Sequence, residues 1–78
     1  MKINKLQLQI LRTIKGEKRT IEVANEIDKN RSTASTNMTK LKVNGFLKTR
    51  YLHPAIYWRL SEKGLLYLKS KRSPNKIY

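Results

Sequence analysis

The sequence predicts a small α+β domain in which three helices are followed by a two-stranded β-hairpin and then by a last helix. Apolar residues recur at helical spacing in three segments before Gly45. Two alternating segments rich in β-branched and aromatic residues then flank a break at Pro54, and a further helical segment follows Ser61. The 78 residues suffice for one domain, which we expect over residues 1–72, with a flexible basic tail over 73–78.

The first helix is predicted over residues 3–15. Its apolar face carries Ile3, Leu6, Ile10 and Ile14. Gly16 follows directly and is the expected C-cap, because glycine is common where a helix ends. This arrangement leaves Leu8 on the opposite side of the helix.

A second helix over 20–28 and a third over 31–44 follow closely. Thr20 is the expected N-cap of the second helix, and Asn30 is the expected N-cap of the third. The inward residues of the second helix are Val23, Ala24 and Ile27. The letters "DKN" at 28–30 indicate a tight turn, so the segment has the order of a helix-turn-helix.

The third helix combines an apolar stripe with an unusual outer surface. The stripe consists of Ala34, Met38 and Leu41. The other positions carry mainly short hydroxyl residues together with Arg31 and Lys40, although Ser and Thr are mediocre helix formers. We interpret this surface as one shaped for a DNA groove. Gly45 is expected just past the helix end, in a left-handed conformation.

The hairpin is predicted from two strands, 46–52 and 56–60. Alternation assigns its inward face to Leu47, Thr49, Tyr51, Ile56, Trp58 and Leu60. Its outward face is assigned to Lys48, Arg50, Tyr57 and Arg59. Ser61 is the expected N-cap of a last helix over 62–72, in which Leu65 and Leu68 face inward.

Basic residues dominate the charge of the chain. Eighteen Lys and Arg residues against five acids give a formal net charge of +13. Four of the five acids lie between Glu17 and Asp28, and none lies between Lys29 and Leu60, where seven residues are basic. Such a segment is typical of a protein that binds a polyanion.

Other classes of protein find little support. There is one His and no Cys, and neither a catalytic triad, a metal-ligand cluster nor a phosphate-binding loop is recognisable, so we expect no enzyme activity, cofactor or metal. No apolar run approaches the roughly 20 residues that span a bilayer. We expect a cytoplasmic protein, associated with the nucleoid or, if viral, with the host cytoplasm.

Three stretches resemble the winged-helix regulators of the MarR type. "TIEVANEI" is similar to their second helix, "RSTASTNMTKLKVNGFL" to their recognition helix, and "YWRLSEKGLLYL" to the end of their wing and the helix after it. Together they span residues 20–68 in the expected order, and small winged-helix proteins of archaea and their viruses look closest in size. Lys29 departs from the family pattern, in which this position is usually apolar. The extra long helices that form a ligand pocket in larger members are absent, so no small-molecule effector is expected.

The resemblance implies a winged helix-turn-helix fold and sequence-specific binding to double-stranded DNA by a transcription regulator, which we expect to be a repressor. The third helix would enter the major groove, with Arg31 reading guanine and Asn37 reading adenine. The expected contacts from this helix are Arg31, Ser32, Thr33, Ser35, Thr36, Asn37, Thr39 and Lys40. The expected contacts to the backbone and from the wing are Lys42, Lys48, Arg50, His53, Tyr57 and Arg59. Arg50 or His53 would approach a minor groove.

A homodimer is also expected, because both terminal helices carry spare apolar side chains. The expected interface residues are Leu8, Leu11, Leu66 and Tyr67. A competing interpretation has Leu8 covered by the tail of its own chain, against Ile77 or Tyr78. Two functional alternatives stay open: a winged helix that coats DNA without specificity, as an architectural or replication protein, and a module that binds protein or RNA.

Overall fold

The structure, a computed structural model, describes residues 2–72, which form four α-helices and a three-stranded antiparallel sheet. The helices are α1 (Lys5–Thr13), α2 (Thr20–Glu26), α3 (Arg31–Val43) and α4 (Glu62–Arg72). The strands are β1 (Lys18–Arg19), β2 (Leu47–Leu52) and β3 (Ala55–Leu60), in the order β1-β3-β2. This is the predicted winged helix-turn-helix arrangement. The predicted tail, 73–78, lies outside the described residues.

The ends of α1 follow from its flanking residues. Asn4 caps the N-terminus, because its side chain accepts a hydrogen bond from the Gln7 N–H at 2.8 Å while the Gln7 side chain accepts one from the Asn4 N–H. At the other end Ile14 is the C-cap, with an extended backbone. The prediction that Gly16 caps this helix is wrong; it has a left-handed φ of +69° in the connection to β1.

The turn between α2 and α3 is built on a left-handed residue. Asp28 has a φ of +57°, and the Lys29 N–H donates to the Ala24 carbonyl at 3.0 Å. Lys29 is exposed, which explains why this position can carry a lysine although the family pattern is apolar here. The N-cap of α2 is Arg19 and not Thr20, whose hydroxyl instead accepts a bond from the Trp58 indole at 2.9 Å.

Both predicted caps of α3 are confirmed. The Asn30 side chain accepts from the Thr33 N–H at 2.8 Å. At the C-terminus Gly45 has a φ of +88°, its N–H donates to the Lys42 carbonyl, and the Phe46 N–H donates to the Leu41 carbonyl at 2.8 Å. This pair of bonds is the Schellman arrangement that ends a helix and reverses the chain into β2.

The sheet has one strand more than the predicted hairpin. Lys18 and Arg19 of β1 pair with Trp58 and Tyr57 of β3, so β3 becomes the central strand. Two residues are too few to show an alternating pattern, which explains why the sequence did not reveal β1.

The core lies between the helices and the inner face of the sheet. Its buried residues are Ile10, Leu11, Ile14, Val23, Ala24, Ile27, Ala34, Met38, Leu41, Phe46, Leu47 and Trp58. The inward assignment of Trp58 is confirmed. Tyr51 and Ile56 lie on the same face, but they are not buried: burial falls along the hairpin, and these side chains are 66% and 37% exposed near its tip. The tip contains a cis peptide bond between His53 and Pro54.

The last helix is fixed to the end of α3. The Ser61 hydroxyl accepts a bond from the Gly64 N–H at 3.1 Å, which confirms the predicted N-cap, and donates to the Gly45 carbonyl. A Cβ on Gly64 would lie 2.3 Å from the Phe46 carbonyl oxygen, so the two backbones are in close contact. The Tyr67 ring packs edge-on against Phe46, with 5.6 Å between the ring centroids.

Two assignments on α4 are therefore reversed. Tyr67, which was predicted at the dimer interface, packs against the core of its own chain, whereas Leu65 was predicted inward and is 49% exposed. Leu68 packs against the core as predicted. Within residues 2–72, no helix is both long enough and apolar enough to cross a membrane.

Candidate nucleic-acid interface

The solvent-facing surface of α3 is polar, basic and free of acids. Its inner stripe of Ala34, Met38 and Leu41 is fully buried, which fixes the rotation of the helix. The predicted contact residues Arg31, Ser32, Thr36, Thr39, Lys40 and Lys42 are exposed. Short hydroxyl side chains leave the helix backbone close to the surface, and they can bond to bases or to phosphates.

Three predicted contacts on this helix, Thr33, Ser35 and Asn37, are only half exposed. The Asn37 amide nitrogen donates to the Thr33 carbonyl at 2.9 Å, and its amide oxygen accepts a bond from the Gln7 amide at 3.3 Å. Gln7 itself is buried, so Asn37 ties α3 to α1. Both ends of the Asn37 amide are engaged within the chain, which argues against the predicted bidentate contact with adenine.

The outward face of the hairpin carries the predicted basic residues side by side. Lys48 pairs across the strands with Arg59, and Arg50 pairs with Tyr57. The three basic side chains are exposed, and the Arg50 guanidinium lies 5.6 Å from the centroid of the half-buried Tyr57 ring. His53 is exposed at the tip. The hairpin therefore presents one cationic surface, separate from that of α3.

One acid interrupts this cationic surface. Glu17 accepts two hydrogen bonds from Arg50, at 2.8 Å from Nε and 2.6 Å from Nη2. These bonds, with the nearby charges of Arg50 and Arg59, hold the pKa of Glu17 below its ordinary value, and the same bonds raise the pKa of Arg50. Glu17 is therefore ionised at neutral pH, and Arg50 is already paired in this conformation.

Two more acids hold basic residues of β1. Glu26 pairs with Lys18 at 2.5 Å, and this hydrogen bond raises the pKa of Lys18. Glu22 accepts a hydrogen bond from the Arg19 N–H at 2.8 Å and lies 3.9 Å from the Arg19 side chain. The sequence analysis found the acidic cluster but assigned these acids no partners, because it placed neither Lys18 nor Arg19 in an element.

The predicted dimer residues divide into two groups. Leu66 is 59% exposed and Leu8 is half exposed. Leu11 is fully buried in the core of its own chain, so the prediction that it contacts a partner is wrong. The half-buried Tyr67 ring packs edge-on against Phe46 of its own chain. Leu65 is also exposed, so Leu65 and Leu66 are two apolar side chains on α4 that are not packed in the core. The competing contact of Leu8 with Ile77 or Tyr78 falls outside the described residues.

Residues 2–72 contain no group of three or more His, Cys, Asp or Glu side chains arranged to hold a metal ion. Three surfaces of the described residues stand out: the acid-free outer side of α3, the cationic outer face of the hairpin, and an apolar strip on α4 formed by Leu65 and Leu66.

No protein-family model matches this chain, and no curated protein sequence matches it. Solved structures do. Bordetella bronchiseptica BpsR, whose DNA binding is regulated by 6-hydroxynicotinic acid, aligns with a TM-score of 0.84 at 15% sequence identity. The alignment covers 91% of this chain and 53% of BpsR, so the chain spans about half the length of that protein.

Two further structures show the same fold. The homodimeric winged helix-turn-helix DNA-binding domain of a possible ArsR-family transcriptional regulator from Mycobacterium bovis aligns with a TM-score of 0.75 at 24% identity, over 96% of this chain and 76% of that one. A MarR family protein from Bacillus stearothermophilus aligns with a TM-score of 0.82 at 21% identity, over 90% of this chain and 51% of that one. The fold is therefore the winged helix-turn-helix fold found in MarR- and ArsR-family regulators. A particular likeness to archaeal and viral proteins stays a prediction.

Proposed function

We propose that this chain is a sequence-specific, double-stranded DNA-binding transcription regulator, and that it represses. The observation that carries the proposal is the outer surface of α3, which is exposed, rich in hydroxyl groups and basic, without an acid between Lys29 and Leu60. The fold it shares with solved DNA-binding regulators supports this assignment. In this proposal the chain is a binding protein and not an enzyme, and it is located in the cytoplasm, associated with the nucleoid.

The two surfaces divide the work in this proposal. α3 enters the major groove with its N-terminal half leading, and Arg31 at its first turn makes a bidentate contact with guanine. Ser32, Thr36 and Thr39 lie along the same exposed side and bond to base edges or to nearby phosphates. Lys40, Lys42 and Lys48 bind phosphates, and the hairpin lies along the backbone with His53 at the minor groove.

Specific binding explains the composition of α3 better than simple coating of DNA. A coating protein needs only cations, because the phosphate backbone supplies non-specific affinity. Here the exposed hydroxyl residues of the helix, Ser32, Thr36 and Thr39, are as many as its exposed basic residues. An RNA-binding module should instead present outward aromatic residues for stacking. The aromatic residue among the basic residues of the hairpin is the half-buried Tyr57, and the exposed Tyr51 lies near the tip on the other face.

A selection from random DNA duplexes tests this function directly. We expect a recovered motif, and binding to it should weaken about 10³-fold between 50 and 200 mM salt if roughly six phosphates are contacted. Binding that is salt-dependent but yields no motif would support the architectural alternative. A flat salt response would exclude nucleic acid as the partner.

The roles of individual residues are separable with two substitutions. Arg31→Ala should cost on the order of 1–3 kcal/mol on the selected site and relax the preference at one base pair. Lys48→Ala should weaken binding to all duplexes about equally, because a phosphate contact carries no sequence information. Equal and uniform losses in both variants would make Arg31 a phosphate contact and remove the guanine assignment.

We also propose that two copies act together, since the solved domain from Mycobacterium bovis is homodimeric. A two-fold pair would place two α3 helices about one DNA turn, roughly 34 Å, apart. Exposed Leu65 and Leu66 are the apolar residues on α4 available for such pairing. No effector is proposed for this chain.

A further inference from the structure

A cleft of about 350 Å³ opens between the start of α2, the start of α3 and the tip of the hairpin. Its walls are formed by Arg19, Thr20 and Ile21 on one side, by Arg31 on another, and by residues 54–56 of the hairpin. Among these, only Arg31 belongs to the predicted DNA contacts. The cleft therefore brings together residues that are far apart in sequence and that the proposed contacts do not explain.

The charged part of the cleft consists of two guanidinium groups. Arg19 has a side chain that is 53% exposed, and Arg31 is exposed at the first turn of α3. No acid lines the cleft. The acid near Arg19 is Glu22, whose carboxylate accepts from the Arg19 backbone and lies 3.9 Å from its side chain. A pair at that distance on an exposed surface is weak, so Arg19 stays available for an anion.

Apart from Thr20, the rest of the cleft is apolar and incompletely covered. Ile21 is 41% exposed and Ile56 is 37% exposed, and Pro54 and Ala55 complete the wall. Ile56 lies on the inward face of the sheet, where its neighbour toward the base of the hairpin, Trp58, is buried. The inner face of the hairpin therefore continues past the core as an apolar surface that ends against two arginines.

A DNA strand has the matching chemistry, because its backbone alternates anionic phosphates with the apolar faces of deoxyribose. The position of the cleft also matches. If α3 occupies a major groove and the hairpin approaches the adjacent minor groove, one strand of the duplex has to pass between them. The cleft lies between these two elements.

We propose that the cleft seats one sugar–phosphate strand of duplex DNA, with Arg19 binding a phosphate and Ile21 and Ile56 packing against deoxyribose. This proposal rests on the proposed function and adds a third contact region to it. Arg19 lies in β1, the strand that the sequence did not reveal, and so it is outside both α3 and the hairpin. Its contact is with the backbone, so it contributes affinity and register without sequence preference.

Substitution of Arg19, combined with chemical neutralisation of single phosphates, tests the contact. In a selected duplex, each phosphate near the hairpin is replaced in turn by a neutral methylphosphonate. For the wild type we expect one position at which this replacement weakens binding several-fold. In Arg19→Ala the same replacement should have almost no further effect, and the slope of log affinity against log salt should fall by about 0.9. Arg19→Lys should keep most of that slope.

The matched control is Arg12→Ala, which removes the same charge from an exposed arginine on α1 that lines none of this cleft. It should leave the methylphosphonate pattern unchanged. Ile56→Thr keeps a β-branched residue in β3 and tests the apolar wall. We expect it to weaken binding several-fold without changing the salt slope, since no ionic contact is lost.

The outcomes separate this proposal from the function on which it rests. If the wild type binds no duplex, the proposed function fails. If the wild type binds with a steep salt slope and Arg19→Ala matches Arg12→Ala at every phosphate, the cleft proposal alone is overturned. Thermal unfolding of each variant identifies a loss of binding that comes from misfolding. If Arg19→Ala misfolds, Arg19→Lys decides the assignment: a lysine variant that folds but no longer responds to the single neutral phosphate would overturn the cleft proposal.

Discussion

Arg50 is held between an acid and an aromatic ring on the outer face of the hairpin. Glu17 binds it through two hydrogen bonds, and Tyr57 lies beneath its guanidinium. A phosphate that approaches Arg50 must compete with Glu17, whose own charge also repels DNA. We predict that Glu17→Gln raises affinity for random-sequence duplex several-fold and steepens the salt slope by about 0.9, measured by titration between about 50 and 200 mM salt.

Glu26→Gln is the control for this prediction. It makes the same change in charge and likewise breaks an exposed ion pair, the one with Lys18. Lys18 is not among the proposed DNA contacts, so we expect a smaller gain in affinity. Equal gains in the two variants would show that only net charge matters and that Arg50 is not held back by Glu17.

The same pair gives a prediction about pH. The pKa of Glu17 is lowered from its ordinary value of 4.5, mainly by its hydrogen bonds with Arg50. The folded protein therefore binds this proton less readily than the unfolded chain, so the contribution to stability is complete above pH 4.5 and is lost as the pH falls through the lower folded value. A carboxyl NMR titration should show Glu17 titrating below pH 4.5 in the wild type and nearer to it in Arg50→Ala. An unchanged titration in the variant would contradict this account.

Of the five residues predicted at helix ends, three were assigned correctly, whereas Gly16 and Thr20 were not. Asn30, Gly45 and Ser61 act within a few positions of themselves, and each was assigned correctly as a helix-end residue. The roles of Asn37 and Arg19 could not be predicted, because the amide of Asn37 meets Gln7, 30 positions away, and Arg19 faces the hairpin only through the fold. Polar side chains carry no periodic signal that would reveal such distant partners.

At the scale of elements, α4 depends on a glycine inside a helix. Replacing a helical glycine by alanine ordinarily stabilises a protein by about 1 kcal/mol. At Gly64 the new Cβ would lie 2.3 Å from the Phe46 carbonyl oxygen, which is backbone and cannot turn aside. We predict that Gly64→Ala destabilises the fold by about 1–3 kcal/mol, measured by urea unfolding.

Ser70→Ala is the comparison on the same helix. Ser70 is exposed, so its replacement by a better helix former should be neutral or slightly stabilising. A stabilising effect of Gly64→Ala as well would mean that α4 does not approach the Phe46 backbone as closely as the structure shows.

The helices and strands could be predicted from the sequence where their hydrophobic patterns were long. α3 was predicted within a residue, since thirteen residues show a buried stripe clearly. β1 was missed because it has only two residues. The hairpin was found, but alternation gave Tyr51 and Ile56 a buried role that they do not have, because alternation states which face a residue takes and not whether another element covers that face.

At the scale of the whole molecule, the apolar strip on α4 bears on assembly. Leu66 is 59% exposed and Leu65 is 49% exposed, and a small domain gains buried surface when it pairs. We predict that the wild type sediments as a dimer at tens of micromolar and that Leu66→Glu sediments as a monomer, because dimerisation would bury the new charge. The variant should also bind a palindromic duplex more weakly.

Val43→Glu is the control for assembly. Val43 is 79% exposed on α3, which is not a helix of the predicted interface, so its substitution should leave the sedimentation behaviour unchanged. A monomeric wild type would contradict the dimer, as would a Leu66→Glu variant that sediments like the wild type.

The hydrogen bonds of Ser61 determine how α4 opens. Its hydroxyl donates to the Gly45 carbonyl and accepts from the Gly64 N–H, while its own N–H donates to the Phe46 carbonyl at 3.1 Å. Separating α4 from the end of α3 breaks the bonds from Ser61 to Gly45 and Phe46, and it also uncovers the buried Gly64 N–H, whose bond to the Ser61 hydroxyl lies within the cap of α4. The amide hydrogens of Ser61 and Gly64 should therefore exchange with deuterium at a common rate, set by one cooperative opening. The helix proposed to read DNA thus shares, at its C-terminal end, the opening kinetics of the last helix of the fold.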